Sequence, residues 1–272
     1  MSAKKTQVVL VAGALLLFVL LFIASKTAPA HSEGDGHDHS SEKVKVNENA
    51  NLDIYVSMAL KNLEPAKKSL VETLISAGKN DSVAAFWDKS KRPDIASVYV
   101  EQLAQKSGKA ADWIKAGNRY YYSIQFTPDK TEVPLLYQCA MRCFSKGLKL
   151  EPANTDAKIM LASCYVEGTS DPMQGITLLK EVEKKDSNNV KLQLSFAFFS
   201  VKSGQMDKAI ARFNKVLAID SNYIEAYLHL ADAYERKGEV QKTISVLEKY
   251  SAKTTDVTAR VEINKYIEQL KK

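Results

Sequence analysis

The sequence predicts an all-α solenoid of helix-turn-helix repeats, placed behind an apolar N-terminal span and a polar linker. Three observations predict it. Beyond position 60 apolar residues recur at helical spacing, the same stretch of pattern returns at a fixed interval, and a charge-free run stands near the N-terminus. With 272 residues, 45% of them hydrophobic and 26% charged, the chain has enough apolar content for one sizeable core, which excludes disorder throughout. The net charge of +6 is spread over lysines interleaved with glutamates, so no dense basic run implies nucleic acid. Three cysteines, Cys139, Cys143 and Cys164, are an odd number in a long chain and argue against a disulfide framework. Stability must come from packing.

Twenty uncharged residues lie between Lys5 and Lys26, TQVVLVAGALLLFVLLFIAS. As a helix they span roughly 30 Å, the hydrocarbon thickness of a bilayer. The reading is a transmembrane signal-anchor over 6–25, with 1–5 as a basic cytoplasmic tail. The rest of the chain then lies outside a bacterial inner membrane, single-pass, in the periplasm. The alternative is a cleavable signal, with Lys4 and Lys5 as its basic region and Ala28-Pro29-Ala30 as its cleavage site, giving a secreted soluble protein. The run exceeds the usual ~7 to 15 apolar residues of a signal core, which favours the anchor. Lys26, Lys43 and Lys45 offset Lys4 and Lys5, so a count of basic residues does not decide orientation.

Residues 26–51 are small and polar and read as a disordered tether. His31, His37 and His39 alternate there with Asp35 and Asp38, a composition able to hold a borderline metal ion. A floppy histidine pair lacks the partners that orient ligands in a built site, so a hydrophilic spacer is favoured and no cofactor is expected. A metal-handling or sensing protein remains the alternative.

The stretch GQMDKAIARFNKVLAIDSN from Gly204 meets GEVQKTISVLEKYSAKTTD from Gly238, 34 residues on. Toward the N-terminus it meets DPMQGITLLKEVEKKDSNN and then VPLLYQCAMRCFSKGLKLEPAN. The small residue of each second helix falls at Ala96, Ala140, Gly175, Ala209 and Thr243, at intervals of 44, 35, 34 and 34. Trp113, Ala116, Gly117 and Tyr120, then Ala140, Phe144 and Pro152, make one unit. Leu161, Ala162, Tyr165, Gly175 and Leu179 make the next. Phe196, Ala197, Ala209 and Phe213 follow, then Tyr227, Leu230, Ala231, Tyr234 and Leu247.

This pattern resembles the tetratricopeptide repeat family from roughly Ser82 to Val257. The resemblance implies a right-handed superhelical solenoid of about five units over 82–257, the first degenerate, with Val83, Ala84, Trp87, Ala96 and Val100 in the family positions. Capping helices are expected over 52–81 and 258–272, because a repeat buries its apolar surface only against neighbours. The 44-residue interval reflects an extra loop, TPDKTEVP.

The resemblance also implies that first helices line a concave groove, here Ile114, Asn118, Tyr121, Tyr122, Ile159, Ser163, Val166, Leu194, Phe198, Val201 and Lys202, then Leu228, Asp232, Glu235 and Arg236. An apolar hollow of this kind suits an extended or helical peptide. The competing reading is that the N-terminal helices fold into it and make those residues core. Ile114 and Leu194 stand where the family's carboxylate clamp would want basic or amide side chains, so recognition of a C-terminal carboxylate is not expected.

Phe86 to Asp88 and Tyr120 to Tyr122 invite an aromatic-cage reading, yet Trp87 and Tyr120 occupy packing positions. The cysteines read as buried thiols, and His229 stands without a visible partner. No nucleophile elbow, zinc-protease or phosphate-loop motif is present, so an enzyme is not expected. The expected function is a membrane-tethered protein-interaction scaffold or assembly factor, similar to the anchored repeat proteins of the bacterial envelope. Its partners are other proteins, and the membrane through the N-terminal helix.

Overall fold

The computed structural model describes residues 48–272, with side chains from Asn51 onward. The tail, the span over 6–25 and His31, His37 and His39 lie outside them. Thirteen α-helices occupy the described residues, with no strand among them: α1 (Glu48–Lys61), α2 (Pro65–Ser76), α3 (Asn80–Lys89), α4 (Pro93–Ser107), α5 (Ala110–Ser123), α6 (Val133–Leu150), α7 (Thr155–Gly168), α8 (Pro172–Lys185), α9 (Val190–Lys202), α10 (Met206–Ile219), α11 (Glu225–Arg236), α12 (Val240–Lys253) and α13 (Val257–Leu270). From α2 onward each packs chiefly on its sequence neighbours, whereas α1 packs on α6; the first helices of successive units touch as well, α5 on α7 and α7 on α9. This one-dimensional contact pattern is that of a repeat solenoid. α1 begins at Glu48, inside the stretch read as linker.

Where the helices begin follows from local chemistry. The Asn154 side chain accepts the backbone N–H of Ala157 at 2.9 Å, Asn189 that of Leu192 at 3.1 Å and Asp256 that of Ala259 at 3.0 Å, each satisfying an amide that the first turn leaves without a partner. Pro93 and Pro172 fill first-turn positions, where a missing N–H costs nothing.

The helices of a unit meet at small residues. At the α7–α8 crossing a Cβ on Gly175 would stand 2.4 Å from the carbonyl oxygen of Ala162 and 2.7 Å from a Val166 methyl. Only hydrogen fits there. The gaps left by such approaches are filled by side chains the repeat pattern singles out. Trp87, Tyr120, Phe144, Phe213 and Leu179 are all fully or almost fully buried.

The inserted segment between α5 and α6 is not a plain loop. It forms two short 3-10 turns, Ile124–Phe126 and Lys130–Glu132, and carries Thr127 into the interior. There α1 docks. Leu52, Tyr55 and Ala59 form its buried face, and the Tyr55 hydroxyl donates to the buried Asp94 carboxylate while accepting from Thr127 at 2.9 Å. Arg92 completes the cluster, its Nε and a terminal nitrogen donating to Asp94 at 3.0 and 2.8 Å. Burial and the neighbouring carboxylate push the Tyr55 hydroxyl up to about 12, so it remains a donor at any ordinary pH. A second buried carboxylate, Glu101, accepts from Tyr120 at 2.8 Å and from both Nε and a terminal nitrogen of Arg142 at 3.0 and 2.8 Å.

Gly175→Ala is expected to destabilise the domain by about 1–3 kcal/mol, because the added methyl meets backbone that can yield only by separating two helices. Urea unfolding followed by circular dichroism measures it; an unchanged midpoint would show that the α7–α8 crossing has slack.

Candidate partner-binding groove

The first helices of three successive units, α5, α7 and α9, enclose a hollow of about 410 Å³. Eight of the predicted groove residues line it: Ile114, Asn118, Tyr121, Tyr122, Ile159, Ser163, Leu194 and Phe198. Ile114, Asn118 and Tyr122 fall four apart on α5 and form a ridge. Beyond it lies a second hollow of about 560 Å³, shared by this ridge and reaching Phe126 and Asn154. Tyr122 is 58% exposed and Phe198 42%, large apolar surfaces that packing alone would have buried. The N-terminal helices do not cover them: α1 packs on α6 and around Asp94, and α2 on α3.

The predicted groove positions differ in depth. Ile159 and Ser163 are 3% and 6% exposed, so they form the floor of the hollow and belong to the core. Val166 packs into the cluster around Leu179 and Phe196, and Val201 and Leu228 pack into the C-terminal cluster around Phe213 and Tyr250. Lys202 is exposed but does not line the hollow. The polar end is internally satisfied: Arg236 pairs with Asp232 at 2.9 Å, and Glu235 accepts the Tyr266 hydroxyl of α13. The first helix of the last unit, α11, does not present this face freely as α5 does, because the capping helix α13 takes up part of it.

Residues the sequence reading passed over complete the hollow: Asp156, Met160, Glu167, Lys191, Ser195 and Phe199. Glu167 was within reach, because it lies one helical turn past Ser163 on the same stripe of α7. Its carboxylate accepts the Tyr121 hydroxyl at 3.0 Å and the Tyr137 hydroxyl at 2.9 Å. Burial raises both phenols, and the Glu167 charge raises them further, so both stay protonated. Tyr137 reaches Glu167 from the second helix α6 because the next residue is Gly168, where a Cβ would stand 2.2 Å from the Tyr137 ring and 2.5 Å from its own Cβ. Asp156 is paired with Lys191.

His229 has company after all. Its ring lies 4.8 Å from Phe198, edge on, and stacks on Phe213 at 5.5 Å. Burial holds the imidazole below its ordinary value of 6.5, against the opposing pull of Asp232 and Glu225. All three cysteines are buried, and burial pushes the Cys143 and Cys164 thiols up, away from the reactive thiolate. Among the described residues no cluster of His, Cys, Asp and Glu is arranged to hold a metal ion, and no helix is long and apolar enough to cross a membrane.

Two consequences are measurable. Gly168→Ala is expected to cost about 1–3 kcal/mol and to free Tyr137 from Glu167, seen as a lowered phenol titration in ultraviolet difference spectra. The second concerns His229. Its folded value is depressed, so its contribution to stability is fully present above about 6.5 and is lost as pH falls through that range. The difference in urea midpoint between wild type and His229→Phe should therefore change on going from neutral pH to below 6.5; a constant difference would show that the ring titrates as in the unfolded chain.

The family model described as TPR repeat matches residues 201–238, and that described as Tetratricopeptide repeat matches 225–253. No curated protein matches the chain. Among solved structures, YrrB, described as a TPR protein with an unusual peptide-binding site, is 20% identical, with 79% of this chain and 97% of that one covered and a TM-score of 0.43. MamA from Desulfovibrio magneticus RS-1 is 16% identical, with 63% and 90% covered and a TM-score of 0.45. TTC0263, a thermophilic TPR protein in Thermus thermophilus, is 17% identical, with 69% and 96% covered and a TM-score of 0.47. The chain carries tetratricopeptide repeats over residues 201–253.

Proposed function

We propose that this protein is a membrane-tethered interaction scaffold that holds an extended or helical segment of a partner protein in the hollow between α5, α7 and α9. The observation that carries the reading is the pair of exposed aromatic side chains, Tyr122 and Phe198, facing a hollow lined by three successive first helices. Aromatic side chains in a concave apolar site are the usual anchors of protein association, since they offer large contact area for little lost rotamer freedom. The charge-free run over 6–25 is long enough to tether the domain, and the basic tail before it favours a repeat domain outside the cytoplasm. No chemistry is required of the chain in this role.

The test is a crosslinked pull-down from native membranes, comparing wild type with the Tyr122→Ala, Phe198→Ala double variant. Loss of two anchors is expected to lower partner recovery at least about tenfold, since a single aromatic hot spot contributes about 2 kcal/mol or more. Recovery of the same partners at the same yield by a folded double variant would remove the groove from the account.

A further inference from the structure

We infer that the groove contains a subsite for one basic side chain of the partner segment, an arginine or lysine, centred on Glu167; this rests on the groove reading above. Four carboxylates among the described residues accept tyrosine hydroxyls, and one of them, Glu235 with Tyr266, lies exposed at the C-terminal end away from the hollow. Asp94 is bonded by Tyr55 and also by Arg92, and Glu101 by Tyr120 and also by Arg142. Glu167 has two tyrosines, Tyr121 and Tyr137, and among the described residues no cation is paired with it. The difference is one of position. Asp94 and Glu101 are enclosed within the core, where an unpaired charge would be strongly destabilising. Glu167 is only partly buried and faces the hollow.

The carboxylate has room for the missing partner. It presents about four lone-pair positions, and two hydroxyls supply two protons, which leaves an edge for a guanidinium or ammonium group. Tyr121 is itself held in place by edge-to-face contacts with Tyr122 and Tyr137, centroids 5.6 and 6.2 Å apart. Asp156, the other acidic residue of the hollow, is neutralised by Lys191, so the unbalanced charge is that of Glu167. The fixed tyrosine donors orient the carboxylate before a ligand arrives, and a basic side chain entering beside the aromatic anchors would meet it without rearrangement.

The probe is a randomised peptide library displayed on phage and selected against the full-length chain. The selected peptides are expected to share an Arg or Lys flanked by apolar residues. Replacing that residue by norleucine, or Glu167 by Gln, should each weaken binding about tenfold or more, and the two changes together should cost little beyond either one. Glu167→Gln keeps an acceptor for the tyrosines, and Glu167→Asp, which keeps the charge, should retain the basic preference. Selected peptides that depend on Tyr122 and Phe198 yet show no basic preference, or bind Glu167→Gln unchanged, would overturn the subsite and leave the groove standing. Peptides indifferent to Tyr122→Ala and Phe198→Ala would instead overturn the groove reading itself.

Discussion

The structure depends on how closely two helices of one unit can approach. At the α7–α8 crossing the space beside Gly175 admits no side chain at all; Ala140 and Ala209 are fully buried at the equivalent position of their units, and Ala116, Ala162 and Ala197 are fully buried on the first helices. Close approach lets one aromatic or leucine per unit fill the remaining gap, and the pair then offers a flat apolar edge to the next pair. Everything else follows from stacking those pairs. Because each unit touches only its neighbours, the core divides into three linked clusters rather than one central mass.

That constraint explains which parts of the fold were legible. Small residues at intervals of 35, 34 and 34 and the large ones facing them are one-letter signals that survive without any knowledge of orientation. What a residue does at the concave face is a question of angle. Ile159 and Ser163 carry the same sequence credentials as Asn118 and Tyr122, yet they lie at the bottom of the hollow and count as core. The polar contacts were less legible still. Tyr55, Asp94 and Thr127 are 39 and 72 residues from one another in their pairings, and no spacing rule links them. The inserted segment likewise read as an irregularity in the repeat, when it supplies the hydroxyl on which α1 docks.

Polar groups in this chain divide by how they are satisfied. Asp94 and Glu101 sit in the core, and each is bonded by a tyrosine and by an arginine through two nitrogens, which is the minimum that makes a buried carboxylate tolerable. These pairs contribute less through net energy than through uniqueness: α1 has one place where Tyr55 can reach Asp94, and α6 one register that brings Arg142 to Glu101. At the groove the same device is left open on one side. A carboxylate there can stay solvated, so the fold does not demand the arginine, and the site retains capacity for a ligand without a penalty to folding.

The position of the hollow in the stack has a mechanical consequence. Contact from a second helix to the next first helix is substantial along the array, from α4 to α5, α6 to α7 and α10 to α11, but slight from α8 to α9. The array is joined there mainly by the cluster of Ile159, Leu179, Leu192 and Phe199, and by the touch of α7 on α9. Glu167 and Tyr121 lie on one side of this thin join and Leu194 and Phe198 on the other. A segment seated in the hollow therefore contacts both halves, and its binding free energy adds directly to what holds them in one arrangement, by RT ln(1 + [L]/Kd). In a solenoid whose units are stabilised only by neighbours, the least supported junction is also the place where a bound partner has most influence on shape.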